Sequence, residues 1–284
     1  MNSLGELLRK SKVGYQQMTN RVLQQALIDQ GLLSPPADGY WGPQSRAALS
    51  AFQELNGLPI TGEVSPETST ALVNVGPVQI QCGQDLAGRI VRAMLKAGHW
   101  IACGPDAFNI VYVEGIDADG ALNSDAFDQW NDRRILIEVV RGIPRIVGNW
   151  LATTEPGATY THEPMNPGGA FRVSFGQYRA WQFGLHGRTQ YPSLVQCGPV
   201  TGFRDRNKDG LRTGDPSVTG SDFGINQHHG WNLEVIGPAS AGCLVGQSIE
   251  GHHAFMARLR TDRRYRTSNS YVFHTSILPG EALG

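Results

Sequence analysis

Apolar residues recur at helical spacing through the first quarter of the chain and in strand-like runs through most of the remainder, so helices should come first and strands after. The opening "MNSLGELLRKSKVGYQQMTNRVLQQALIDQ" has helical spacing, and Leu23, Leu27 and Ile28 share one stripe. Gly31 predicts the stop, because glycine takes the left-handed C-cap conformation without a Cβ clash. Turn residues fill "SPPADGYWGP". A second helix then starts at Pro43 and aligns Ala47, Ala48, Ala51, Phe52 and Leu55 before Gly57 ends it. "LPITGEVSPETSTALV" repeats the order of turn, Ser/Pro start and short apolar stripe. Three such helices make a compact bundle with little room for chemistry.

"NVGPVQIQCGQ" has a Gly-Pro and no period, so it reads as a linker. "DLAGRIVRAMLKAGHW" follows as an amphipathic helix ended by Gly98. Then the texture changes. "NIVYVEGI", "RRILIEVV", "RIVGNWLAT", "FRVSFGQYRAWQFG" and "SYVFHTSIL" are β-branched or aromatic runs bounded by turn residues, and each predicts a strand. "NSDAFDQWNDRR" predicts a turn and a short helix between strands. The expected class is α+β: a small three-helix N-terminal module over 1–76, a linker over 77–83, and a mainly β catalytic domain with one or two helices over 84–284. Within it, 84–155 is a candidate subdomain.

A chain of 284 residues with 40% hydrophobic content can bury such a core, and its 35 glycines and 16 prolines suit short strands joined by many turns. The net charge of -1 argues against a nucleic-acid partner. The N-terminus lacks the apolar core and cleavage site of a secretory signal, and no apolar run is long enough to span a membrane. The expectation is a soluble monomer without membrane insertion, kept in the cytoplasm until another agent releases it. Cys82, Cys103, Cys197 and Cys243 form no CxxC pair, which predicts free thiols rather than a zinc site.

The first module resembles the peptidoglycan-binding type 1 family. The resemblance rests on Leu23-Gln24, Asp38-Gly39-Tyr40-Trp41-Gly42-Pro43, Ala48, Phe52-Gln53, Gly57-Leu58, Gly62 and Pro66-Glu67-Thr68. It implies bacterial peptidoglycan as partner, with Asp38, Tyr40, Trp41, Phe52 and Gln53 as candidate wall-binding residues. The alternative for the aromatics is a place in the module's core.

The candidate chemistry lies in "FGINQHHGWNLEVIGPASAGCLVG", Phe223 to Gly246. A cysteine nucleophile needs a nearby base and backbone N–H groups aimed at the developing oxyanion. A strand ending near His228, a "HGWN" turn and a small-residue loop can bring Cys243 back beside that histidine. Ser240 and Gly242 let a substrate carbonyl approach the main chain, where the N–H groups of Gly242 and Cys243 can serve as donors. The alternative is a buried structural cysteine. Alternation places Asn226 and His228 on one strand face and His229 on the other; His228 or His229 can be the base, with Asn226 as the candidate orienter.

The segment resembles the L,D-transpeptidase catalytic (YkuD-like) family through His228-His229-Gly230 and Ser240-Ala241-Gly242-Cys243. Two features depart from that family: Ala241 stands where the second histidine is usual, and Leu244-Val245-Gly246 lacks the following arginine. The architecture as a whole resembles phage endolysins. It implies a cysteine peptidase or amidohydrolase that cleaves stem or cross-bridge peptides through an acyl-enzyme, held in the host cytoplasm before reaching the wall. The alternatives are an L,D-transpeptidase and a non-catalytic wall-binding protein.

No cofactor is required by this chemistry, with calcium as the one candidate ion. "RDRNKDGLRTGD" sets Asp205, Asn207 and Asp209 at alternate positions before Gly210, as in the start of a calcium loop, with Asp215 one place short of the usual twelfth ligand. An ordinary Asp/Asn/Gly turn is the alternative. The five arginines of "ARLRTDRRYR" read as a solvated face, His162 and His186 as structural, and Glu114 with Asp117 as a weak glycosidase pair.

Overall fold

The computed structural model describes residues 19–284; the helical expectation for residues 1–18 lies outside the described residues. Helix α1 is described over 19–29, and Gly31 follows it at φ +69°. A Cβ at Gly31 would sit 2.6 Å from the Ile101 carbonyl oxygen, so the helix stop is also a close-packing point against the second domain. α2 (Pro43–Leu55) begins with its proline, and α3 (Pro66–Asn74) is capped by Ser65, whose Oγ accepts from the Thr68 N–H at 3.1 Å. Leu27, Leu49, Phe52 and Leu72 fill the core of this small bundle.

The rest of the chain is built on a closed eight-stranded barrel in the order β1-β11-β5-β6-β9-β10-β3-β2. Its strands are β1 (Phe108–Glu114), β2 (Asp132–Val140), β3 (Ile143–Thr153), β5 (Gly176–His186), β6 (Tyr191–Gln196), β9 (Gln227–His229), β10 (Leu244–Gly246) and β11 (Phe273–Pro279). A three-stranded sheet of β4 (Ala170–Val173), β7 (Val200–Asp205) and β8 (Ser217–Gly220) stands beside it. The helices are α4 (Leu86–Lys96), α5 (Ala158–His162), α6 (Ile249–Arg260) and α7 (Arg263–Thr267). The α+β reading holds: a helical module first, then a mainly β domain with two helices longer than five residues.

Strand β1 explains how both faces can be apolar. Ile110 and Tyr112 point into the barrel with Trp181 and Phe273, while Val111 and Val113 point outward under α4. Residues 84–155 supply α4 and three of the eight barrel strands and are continuous with the rest. The segment 77–83 forms no helix or strand, and Val78, Ile80 and Cys82 pack beside the cluster under α4.

Two sequence expectations change. "NSDAFDQWNDRR" holds no helix before β2: Asp125 and Asp128 adopt φ of +44° and +62°, and Asp128 Oδ1 accepts from the Ala158 and Gly237 N–H groups. The arginine run is not uniformly solvated either. Arg264 is buried in an ion pair with Asp262 at 2.6 Å, and Arg263 donates to the Cys103 carbonyl at 2.8 Å. Among the described residues no helix is long and apolar enough to cross a membrane.

Candidate active site

Strands β9 and β10 are parallel neighbours, pairing Gln227 with Leu244 and His228 with Val245. Gln227 and Leu244 face the barrel interior, where Leu244 joins the main core and Gln227 donates to Thr275 Oγ1 at 2.8 Å. Their neighbours Asn226, His228, Cys243 and Val245 therefore share the outer face. The fifteen-residue gap between His228 and Cys243 in the sequence is closed by strand pairing.

Cys243 sits just before β10 and is half-buried beside Trp130, Ile236, Ala239 and Val245. The Asn226 N–H donates to its Sγ at 3.4 Å, and Sγ in turn donates to the Gly224 carbonyl at 3.5 Å. Burial pushes the thiol up to about 11, against the lowering effect of the Asn226 bond.

His228 is buried, and its ring stacks on His186 with centroids 4.2 Å apart and planes 12° apart. Its Nδ1 lies 2.9 Å from the His229 carbonyl, which can only accept, so the proton is on Nδ1. Nε2 makes no hydrogen bond and is not sealed from solvent, which leaves it as the free basic nitrogen. Burial first, and then the His186 charge, hold this imidazole down to about 3. At neutral pH the thiol and the imidazole are both uncharged. No hydrogen bond joins Cys243 to a histidine among the described residues. Proton transfer from Sγ would thus accompany attack instead of preceding it.

Asn226 fixes the partner ring. Its Oδ1 accepts from the Gln196 N–H at 2.9 Å, so its Nδ2 is the atom that donates to His186 Nδ1 at 2.8 Å. His186, which sequence spacing left as structural, therefore belongs to the site. His229 points differently: its Nδ1 accepts from the Trp231 N–H at 3.3 Å, and its ring stacks on Tyr191 at 4.2 Å. Tyr191 also meets His228 edge-on, and its buried hydroxyl has no hydrogen-bond partner.

The loop before Cys243 is tied by one hydroxyl. Ser240 Oγ donates to the Cys243 carbonyl at 2.9 Å and accepts from the Gly242 N–H at 3.1 Å. Gly242 is therefore already engaged, and the Cys243 N–H is the open donor for an oxyanion. Beneath the histidines, Arg134 is fully buried inside the barrel, 4.2 Å from the Phe255 ring. Its Nη1 donates to His252 Nδ1 at 3.2 Å, and the charge helps keep the neighbouring imidazoles neutral. Sequence spacing carried no signal for Arg134, Tyr191 or His186, because each arrives from another strand.

Three buried neutral histidines set a pH dependence. His228 and His274 are held down to about 3 and His252 to about 2, chiefly by burial, whereas an unfolded histidine titrates near 6.5. Between those values the unfolded chain binds protons that the folded one refuses. Stability is thus complete above about pH 6.5 and falls as pH drops toward about 3. Melting temperatures recorded from pH 8 to pH 4 should decline below pH 6.5; a flat profile would contradict the neutral assignments.

Of the candidate wall residues, Asp38 and Tyr40 are exposed and Trp41 is half-buried. Phe52 and Gln53 lie in the module's interior and cannot touch a ligand from there; Gln53 Oε1 instead accepts from the Thr61 and Gly62 N–H groups at 2.9 Å. The carboxylates of Asp205, Asp209 and Asp215 converge, with oxygens within 4.8 Å of one another, while Asn207 donates to Asp209 at 2.7 Å. Glu114, Asp125 and Glu155 also converge, but Arg212 forks onto Glu114 and Arg172 pairs with Glu155. Asp117 only receives an Asn123 amide at 3.3 Å, so no free carboxylate pair forms with Glu114.

Residues 21–72 match the family described as "Putative peptidoglycan binding domain". The chain carries a peptidoglycan-binding module. The match covers α2 and nearly all of the helical bundle and stops before the barrel. No curated protein matches the chain. Among solved structures, a fused Zn-dependent amidase/peptidase/peptidoglycan-binding domain-containing protein from Clostridium acetobutylicum ATCC 824 is 14% identical. The similarity covers 92% of this chain and 95% of that one, with a TM-score of 0.29. The L,D-transpeptidase (residues 123–326) from Xylanimonas cellulosilytica DSM 15894 is 19% identical over 91% and 92% of the two chains, with a TM-score of 0.22. The match supports peptidoglycan as a partner.

Proposed function

We propose that the chain is a cysteine-dependent peptidoglycan hydrolase of the endolysin type, acting on stem or cross-bridge peptides. The observation that carries this reading is the outer face of the parallel pair β9 and β10, where Cys243, just before β10, and His228, on β9, stand beside the open Cys243 N–H. In the first step Cys243 Sγ bonds to the amide carbonyl carbon and its proton passes to His228 Nε2. The carbon–nitrogen bond breaks, and that proton leaves on the amine. Water then attacks the thioester, gives a proton to His228, and Cys243 departs and is reprotonated. Asn226 and His186 hold the base ring, and the peptidoglycan-binding module keeps the enzyme at an insoluble substrate.

Mass spectrometry of muropeptides after incubation with purified sacculi tests the reaction. New stem-peptide ends are expected. New cross-links would make the chain an L,D-transpeptidase, reducing sugar ends a glycosidase, and an unchanged profile a wall-binding protein without catalysis.

We further propose that the loop between β7 and β8 holds calcium through Asp205, Asp209 and Asp215, with Asn207 available as a fourth oxygen donor. Asp215 Oδ2 is buried without a partner, and the charges of Asp205 and Asp209 add to burial in raising that carboxyl. A chelator should lower the melting temperature of protein prepared with calcium, and Asp209→Ala should erase that difference. Identical melting curves with calcium and with chelator, in protein shown metal-free by elemental analysis, would leave an ordinary turn.

A further inference from the structure

The peptidoglycan-binding module is docked against the barrel domain through specific contacts. Ser34 Oγ lies 2.6 Å from the Tyr271 hydroxyl, Gln44 Nε2 donates to the Arg264 carbonyl at 2.7 Å, and Arg179 Nη1 donates to the Pro35 carbonyl at 3.1 Å. At this junction lies a cavity of about 200 Å³, with walls from both parts. The module contributes Asp38, Tyr40 and Gln44, and the barrel domain contributes Arg179 and Tyr271.

Its polar groups are poised for a ligand with two charges. Asp38 Oδ1 is occupied by the Gln24 side chain and the Tyr40 N–H, both at 2.8 Å, whereas Oδ2 accepts no hydrogen bond among the described residues. Arg179 is exposed, pairs with no carboxylate among the described residues, and spends only Nη1 on a carbonyl. The rest of its planar fork is free to receive a carboxylate. Tyr40 stands at the rim, 73% exposed, with its ring lying over Gly42, where a Cβ would come within 2.6 Å of it. An aromatic at the mouth of a charged cavity can cover a bound chain or face an ammonium.

We propose that this cavity is a composite site for a zwitterionic wall peptide, in which Arg179 takes a carboxylate, Asp38 takes an ammonium and Tyr40 covers the backbone between them. The inference rests on the reading of the chain as a peptidoglycan-acting protein. It adds that the recognised element is a stem-peptide end and that the barrel domain shares in binding it. The site is separate from the chemistry: Arg179 and His186 lie seven residues apart on β5, roughly 23 Å at strand rise. A peptide end held here belongs to a neighbouring part of the wall and not to the bond being cut.

The test uses the full chain, titrated calorimetrically with the tripeptide L-Ala-γ-D-Glu-L-Lys, its C-terminal amide and its Nε-acetyl derivative. Arg179→Gln and Asp38→Asn should each weaken binding of the free tripeptide at least about tenfold. Arg179→Gln should lose nothing further with the amide, nor Asp38→Asn with the acetylated lysine, because each pair removes the same contact. Matching melting curves will confirm that each variant is folded and docked, with Arg179→Lys as a variant that keeps the charge but loses the fork. If wild-type protein binds sacculi and folded Arg179→Gln and Asp38→Asn bind the tripeptide as wild type does, the composite site is wrong while the wall reading stands. If wild-type protein ignores sacculi as well, the wall reading itself fails.

Discussion

Cys243→Ala is expected to leave a folded protein that still binds sacculi and releases no new peptide ends, with activity down by at least about a thousandfold. The sulfur is the only proposed nucleophile, and alanine fits the half-buried space it leaves among Trp130, Ile236 and Val245. The loss of the Asn226 N–H contact to Sγ removes one weak bond of 3.4 Å and should cost little stability. Binding and melting measured beside the muropeptide assay separate a missing nucleophile from a missing fold. Residual lysis by the folded variant would sink the cysteine mechanism. His228→Ala should be nearly as inactive and His229→Ala much less affected, because His228 Nε2 keeps a free lone pair whereas the basic nitrogen of His229, Nδ1, already accepts from the Trp231 N–H.

Gly242→Ala should be the most damaging single-methyl change near the site. Gly242 has φ of +126°, where a side chain is strained, and a Cβ there would lie 2.3 Å from the Phe171 carbonyl oxygen and 2.9 Å from the Phe171 Cβ. Phe171 is buried in β4 and cannot retreat, so the loop must move and carry Cys243 away from Asn226. Strain and overpacking together should cost about 3 kcal/mol or more, lowering the melting temperature by several degrees and removing most activity. Gly224→Ala is the control. Gly224 also has positive φ, at +71°, but its added methyl meets nothing within 4 Å and should do less harm. Equal melting temperatures for Gly242→Ala and wild type would show that the loop is softer than its packing implies.

What sequence could reveal follows from the range of each interaction. Helix stops at Gly31 and Gly57 and the proline start of α2 are local effects of backbone geometry, and they are visible in the residues themselves. Alternation likewise placed Asn226 and His228 on one face, as the pairing of β9 with β10 requires. The partners of that face were illegible. His186 lies 40 residues before Asn226 and Tyr191 comes from β6, so only barrel closure brings them to the base. Glu114 looks like any acidic strand end until Arg212, 98 residues later, forks onto it. The helix expected in "NSDAFDQWNDRR" is absent for a tertiary reason: Asp128 spends its carboxylate on two distant loop amides.

The position of β11 sets the order in which the domain can form during synthesis. This strand is the last in the sequence, yet it lies between β1, to which it is parallel, and β5, to which it is antiparallel. Until residues 273–279 have left the ribosome, two long strands expose unpaired edges, and the ring that positions Cys243 and His228 is open. A nascent or shortened chain is then prone to edge-to-edge association and holds no assembled dyad. The proposed wall-cutting activity would arise only when synthesis of the barrel is finished, so incomplete copies would be silent instead of weakly active.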